Sequence, residues 1–135
     1  MATQEDVRRI ALGLRGVTES EEGFGFLVES KGKLRSLLHL WRERIDPKKT
    51  KVVNEGVLVV AVKNLEMKEM LLASGGDRIF TEPHYNGYPA VLVRLAAIET
   101  DELEDLIVES WRSKAPREWQ REYDETHAGP GKELP

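Results

Sequence analysis

The sequence predicts an α+β protein with two layers, in which helices cover one face of an antiparallel sheet. The predicted elements run in the order α-β-β-β-α-β-β-α, and the connections between neighbouring strands are of hairpin length. Parallel strands need long crossover connections, so short connections favour antiparallel pairing. The chain has 135 residues, 40% hydrophobic and 33% charged, which is enough for one domain with a single core.

The first predicted helix begins after Thr3. Thr3 is a suitable N-cap, and Asp6 stands three residues later, in the position of a capping box. Apolar residues then recur with helical spacing, and Gly13 or Gly16 ends the helix. These apolar residues are Val7, Ile10, Ala11 and Leu14.

Three strands are predicted next. Phe24, Phe26 and Val28 alternate with small or polar residues, as in a half-buried strand, and residues 30–33 form a plausible hairpin turn. Residues 34–45 fit a helical stripe slightly better than an alternating strand. The short turn before this segment and Asp46-Pro47 after it favour a strand instead. The apolar run Val57–Val62 is typical of a central strand.

The second half of the chain predicts two helices around a hairpin. Asn64 caps a helix that ends at Gly75-Gly76, with Leu65, Met67, Met70, Leu71 and Leu72 on its buried side. Thr100 caps another, which runs towards Pro116 and buries Leu103, Leu106, Ile107 and Trp111. After Trp119 the periodicity is lost, and we expect residues 120–135 to be a flexible tail.

Between these helices lies the stretch FTEPHYNGYPAVLVRL, from Phe80 to Leu95. Asn86-Gly87 predicts a type I′ hairpin turn, because both central positions of that turn have positive φ. The stretch also holds Glu82, His84, Tyr85 and Tyr88. We take the hairpin as the main interpretation, and a small-ligand site at these four side chains as the alternative.

The composition excludes several classes of protein. The chain has no cysteine, so disulfides, thiolate metal sites and cysteine nucleophiles are excluded. The longest apolar run is too short to cross a bilayer, and the N-terminal residues lack the pattern of a signal peptide, so we expect a cytoplasmic protein without membrane contact. The three histidines are over forty residues apart, and no nucleotide-binding or hydrolase motif occurs. We expect no catalytic residues, metal or cofactor.

Charge is unevenly distributed along the chain. Eight basic residues against Glu43 and Asp46 give residues 31–51 a net charge of +6, whereas the whole chain has −4 and a pI near 5.5. An acidic protein is poorly suited to coat nucleic acid non-specifically. The basic segment is either a solvated rim or a binding surface. Its residues are Lys31, Lys33, Arg35, Arg42, Arg44, Lys48, Lys49 and Lys51.

Three stretches, RERIDPKKTKV, DRIFTEPHYNGYPAVLVRL and ELEDLIVESWRSKAP, together resemble the MmcQ/YjbR family of small bacterial proteins. The resemblance covers residues 3–119 and implies a single CyaY-like, or secretion-chaperone-like, α+β domain over residues 1–119. It also implies that residues 34–41 are a strand. The family is often labelled DNA-binding because its hairpins look like two wings. Here the wings would be the turn at Lys31 and Lys33 with Arg35, and the loop of residues 42–51.

Two functional hypotheses follow from these observations. The first is a non-enzymatic module that binds DNA through residues 31–51. The second is a protein-interaction or chaperone-like module that holds an acidic partner or a second copy of the chain. The ligand site at Glu82, His84, Tyr85 and Tyr88 is a third alternative.

Overall fold

A computed structural model describes residues 1–43, 48 and 52–127. In this part of the chain, six strands form one antiparallel sheet of order β1-β2-β3-β4-β6-β5. The helices are α1 (Gln4–Leu12), α2 (Leu65–Ser74), α3 (Thr100–Arg112) and α4 (Arg117–His127). The strands are β1 (Val17–Glu19), β2 (Gly25–Ser30), β3 (Lys33–Glu43), β4 (Val52–Ala61), β5 (Ile79–Phe80) and β6 (Ala90–Arg94). The predicted α+β class is confirmed, with β1 and α4 as additional elements.

Residues 33–43 form a strand, as the turn, the Asp-Pro stop and the family resemblance indicated. A β-bulge explains why the apolar pattern looked helical. Phe26 pairs with Leu38 but Leu27 pairs with Ser36, so Leu37 is the extra residue of the bulge. Leu37 and Leu38 are both buried, which breaks the alternation expected of a regular strand.

One face of the sheet carries the main core. Side chains of β2, β3, β4 and β6 pack there against α1 and α3. Trp111 of α3 is 1% exposed, and its Nε1 donates a hydrogen bond to the Arg15 carbonyl oxygen at 2.9 Å. The predicted capping box is present, since the Asp6 amide donates to Thr3 Oγ1 and the Thr3 amide donates to the Asp6 carboxylate.

The opposite face has a smaller cluster of four buried residues: Val57, Val59, Ala90 and Leu92. Three partly buried aromatic side chains pack against this cluster, namely Trp41, Phe80 and Tyr85. The Phe80 ring is edge-on to Trp41 at 6.0 Å and lies under the Arg94 guanidinium at 4.1 Å. Aromatic side chains therefore cover the buried residues of this face, as helices cover those of the first face.

The buried side of α2 differs from the prediction. Met67, Leu71 and Leu72 pack against the main core, but Leu65 and Met70 are exposed. Lys68 lies on the inward side and is only 5% exposed. A cation is tolerated there because its ammonium group donates to the carbonyl oxygens of Tyr85 and Tyr88, at 2.5 and 2.8 Å.

β5 and β6 pair as predicted, but their connection is longer than a two-residue turn. Residues 83–85 form a 3-10 helix, and Asn86 has φ −62°, so the predicted type I′ turn is wrong. Asn86 with ψ 131° and Gly87 with φ +79° instead form a type II turn, closed by a hydrogen bond from the Tyr88 amide to the Tyr85 carbonyl. Pro83 favours the 3-10 helix that precedes the turn, since its fixed φ suits the first helical position.

We expected a flexible tail from residue 120, but residues 120–127 belong to α4. Trp119 anchors this helix: the Arg15 guanidinium lies 4.8 Å from its ring centre, and a Cβ built on Gly16 would come within 2.4 Å of the ring. Gly16 also has φ +80°, so glycine is required there both by the backbone and by the indole. Residues 128–135 lie outside the described part of the chain.

Candidate anion-binding groove

Two segments far apart in sequence form a groove of about 770 Å³: the β2–β3 turn and the corner between α3 and α4. We call it the cationic groove. Five of its lining residues are basic and one, Glu118, is acidic. The five basic residues are Lys31, Arg35, Lys114, Arg117 and Arg121.

The β2–β3 turn places the first two of these cations. Lys31 and Gly32 have φ values of +54° and +80°, as the two central residues of a type I′ turn require. Arg35 pairs with Val28, which is buried in the main core, so Arg35 lies on the helix-covered side of the sheet. The predicted hairpin turn at residues 30–33 is therefore confirmed.

The corner between α3 and α4 positions the other three cations of the groove, Lys114, Arg117 and Arg121. Gln120 fixes it by donating from Nε2 to the carbonyl oxygens of Arg112 and Ala115, each at 2.9 Å. The amides of Trp119 and Gln120 both donate to the Pro116 carbonyl. The N-terminus of α4 thus begins at the groove, where the helix dipole adds to the positive potential.

The electrostatics of the groove favour an anionic ligand. Burial and the neighbouring Arg35 guanidinium lower the pKa of the Lys114 ammonium. Within the described residues, no ion pair joins any of the five cations to a carboxylate. The acidic residues Glu122 and Asp124 of α4 are instead paired with Arg15 and Arg112. Mutual repulsion among unpaired cations is relieved when an anion binds between them.

The basic residues of segment 31–51 that the structure describes lie towards both ends of β3. Lys31 and Arg35 line the cationic groove, with Lys33 in the same turn. Arg42 lies near the other end of β3, roughly 23 Å from Arg35 at the usual rise per residue. Lys48 follows in the β3–β4 connection. Arg44, Lys49 and Lys51 lie outside the described residues.

Sequence reasoning missed Lys114, Arg117 and Arg121. Arg117 and Arg121 are four residues apart, on one side of a helix, and Lys114 precedes Arg117 by three residues. This spacing was the available signal. Arg121 falls in the part of the chain that was expected to be a flexible tail, so the spacing did not indicate a helix there.

The alternative ligand site at Glu82, His84, Tyr85 and Tyr88 is only partly assembled. The rings of His84 and Tyr85 meet edge-on at 5.4 Å, and those of Tyr85 and Tyr88 at 6.4 Å. His84 and Tyr88 are exposed, and of the four only Tyr85 lines a described cavity. Burial, Glu82 and Tyr88 raise the pKa of the Tyr85 hydroxyl, so Tyr85 stays a neutral hydrogen-bonding group.

Two further features of the described residues bear on function. No group of three or more histidine or acidic side chains is placed to hold a metal ion in the part of the chain that the structure describes. None of the helices described here is both long and apolar enough to span a membrane.

Comparison with known proteins finds close relatives in mycobacteria. The uncharacterized proteins Rv2570 and MT2646 of Mycobacterium tuberculosis and Mb2600 of Mycobacterium bovis are each 38% identical over 120 residues, which is 87% of this chain and 92% of theirs. No family model matches the chain.

Among solved structures, Deinococcus radiodurans protein DR2400, with a DUF419 domain, is similar to the chain. The TM-score is 0.59 at 22% identity, over 82% of this chain and 77% of that one. DUF419 is related to the MmcQ/YjbR family. At this identity the likeness establishes the α+β fold alone.

Proposed function

We propose that this chain, which belongs to the same family as the mycobacterial protein Rv2570, is a non-enzymatic module that binds the phosphate backbone of nucleic acid through the cationic groove. The observation that supports this proposal is the convergence of five basic side chains from two distant segments on one groove. Cations that serve only solubility are typically spread over a surface and interspersed with acidic residues.

The chemistry of the groove suits phosphodiester groups. Arginine donates two parallel hydrogen bonds to a phosphate, and three of the five cations are arginines. The start of α4 adds backbone amides, which commonly bind phosphate at helix N-termini. Contacts of this kind position a protein on nucleic acid without reading its bases, so we expect little sequence preference.

The acidic remainder of the protein then helps to orient the complex. The whole chain has a net charge of −4, so surfaces away from the groove repel a polyanion. Binding is therefore expected in a single orientation and to be weak at physiological salt.

The test is the salt dependence of binding to a duplex of about 20 base pairs, measured by fluorescence anisotropy. If five phosphates are contacted, we expect affinity to fall by roughly two to three orders of magnitude between about 50 and about 200 mM salt. Replacing Arg35, Arg117 or Arg121 by glutamine should reduce the slope of the salt dependence by about one per residue.

Arg42→Gln is the matched control, because Arg42 is an exposed arginine at the opposite end of β3. Its salt slope should equal that of the unmodified protein. Absence of binding at the lower salt concentration, or equal effects of Arg42→Gln and Arg117→Gln, would contradict the proposal. Equal affinity for polyglutamate would reassign the groove to an acidic protein partner.

A further inference from the structure

A second cavity, of about 420 Å³, lies where β3 runs on past the beginning of β2. Gly25, the first residue of β2, pairs with His39, and among the described strands none lies beside residues 40–43 of β3 on that side. The walls come from the loop of residues 20–24, from β2 and β3, and from Val53 and Tyr85. We call it the step cavity.

The step cavity has the size and mixed lining of a small-molecule site. Its volume falls within the range of pockets that enclose organic ligands. The apolar lining residues with accessible surface are Phe24, Leu27 and Val53, whereas Phe26, Leu38 and Leu40 border the cavity from within the main core. Gly25 contributes no side chain, and a Cβ there would come within 3.2 Å of the Leu38 carbonyl oxygen, so a larger residue would have to displace the neighbouring strand slightly.

The cavity also carries one charge of each sign. Glu22 comes from the loop before β2 and Arg42 from β3, and both are exposed. Within the described residues, no ion pair joins them to each other or to another side chain. Burial and Arg42 lower the pKa of the His39 imidazole, which leaves Arg42 as the cation of the site near neutral pH.

We propose that the step cavity binds a small zwitterion with an apolar body, either a free α-amino acid or a dipeptide. Its carboxylate pairs with Arg42, its ammonium group with Glu22, and its side chain packs on the apolar lining around Leu27. Two opposite unpaired charges around an apolar cavity complement such a ligand, whereas a simple organic acid would leave Glu22 unpaired. This inference is independent of the cationic groove.

The experiment is an NMR titration of the amide signals of residues 20–27 and 36–42. Four probes are compared: L-phenylalanine, the dipeptide leucyl-phenylalanine, 3-phenylpropionate and phenethylamine. We expect one of the two zwitterions to bind about tenfold more tightly than either compound with a single charge, because charge-assisted hydrogen bonds form at both ends. The first two probes distinguish a free amino acid from a dipeptide.

Variants assign each end of the ligand. Arg42→Gln should weaken binding of the zwitterion and of the acid but leave binding of the amine unchanged. Glu22→Gln should weaken binding of the zwitterion and of the amine but leave binding of the acid unchanged. Ser36→Phe, an exposed lining position, should fill the cavity and abolish binding of every probe. Glu21→Gln is the control, since Glu21 is exposed, adjacent to Glu22 and not in the lining.

Three results would overturn the proposal. One is equal binding of 3-phenylpropionate or phenethylamine and the zwitterions. Another is equal loss with Glu21→Gln and Glu22→Gln. The third is the absence of any shift in the signals of residues 20–27 and 36–42 at millimolar probe.

Discussion

The two faces of this sheet bury their side chains by different means. On the helix-covered face, α1 and α3 cover a continuous apolar core that includes Leu58, Val60 and Trp111. On the opposite face, Leu92 and Val59 are almost as inaccessible, at 0% and 2% exposed, yet their cover is aromatic side chains. The stability of the first face depends on buried apolar area, which is distributed over many residues. Burial on the second face depends on a few aromatic side chains, which other residues must hold in place.

Lys68 is one of those residues. Its two hydrogen bonds fix the carbonyl groups at both ends of the Tyr85–Tyr88 turn, and Tyr85 is part of the aromatic cover. A single polar side chain on α2 thereby determines where an aromatic ring lies on the other side of the sheet. Substitutions on the two faces should accordingly differ in how far their effects spread.

Trp111→Ala should have the largest effect. It removes a fully buried indole from the helix-covered core, together with the hydrogen bond to the Arg15 carbonyl. We expect the free energy of unfolding in urea to fall by about 3–5 kcal/mol, with loss of protection from hydrogen exchange throughout the sheet. Trp111→Phe keeps most of the apolar volume and should cost less. A loss below about 1 kcal/mol for the alanine variant would contradict the packing described for this face.

Lys68→Met should have a smaller and more local effect. The carbonyl oxygens of Tyr85 and Tyr88 would each lose the Lys68 ammonium as a donor and keep one backbone amide, at an expected cost of about 2–3 kcal/mol. Hydrogen exchange should accelerate at residues 79–94 and leave β1 and β2 unchanged.

The matched control for this change is Lys63→Met, at an exposed lysine just before α2. Equal stability of the two variants would show that Lys68 does not hold the turn. Faster exchange spread evenly over all six strands would show that the second face is not an independent unit.

The sequence predicts most of the framework because local signals and packing agree there. Thr3 with Asp6, and Asn64 with its helix, cap as expected, because a cap depends only on residues within one turn. The run Val57–Val62 and the inward side of α3 are also confirmed, because apolar periodicity reflects burial directly. The predicted N-cap of α3, Thr100, is wrong by one position, since Glu99 is the N-cap.

What the sequence does not predict depends on tertiary contacts. The burial of Lys68 requires two carbonyl groups seventeen and twenty residues away, which no periodicity reveals. α4 has little apolar surface of its own and is held by Trp119 against Gly16 and by Tyr123 against Trp111. β1 has only three residues and forms through pairing with β2. Two of the five cations of the cationic groove, Lys31 and Arg35, therefore belong to the basic segment that the sequence singled out, and the other three lie at the corner before and within the unexpected helix α4.

The pH dependence of His39 gives the smallest expected effect, again on the second face. His39 pairs with Val59 across the sheet, and burial followed by the nearby Arg42 lowers the pKa of its imidazole below the ordinary value of 6.5. As pH falls through 6.5, the unfolded chain therefore takes up a proton before the folded protein does. The stability that the neutral imidazole contributes is therefore lost as pH falls from 6.5 to the pKa of His39 in the folded protein, and the loss is complete below that pKa.

His39→Gln should lose less stability than the unmodified protein between about pH 7.5 and about pH 5, in urea unfolding at both values. His84→Gln, at an exposed histidine, is the control, and an identical pH dependence of His39→Gln and the unmodified protein would show that burial does not hold the imidazole neutral.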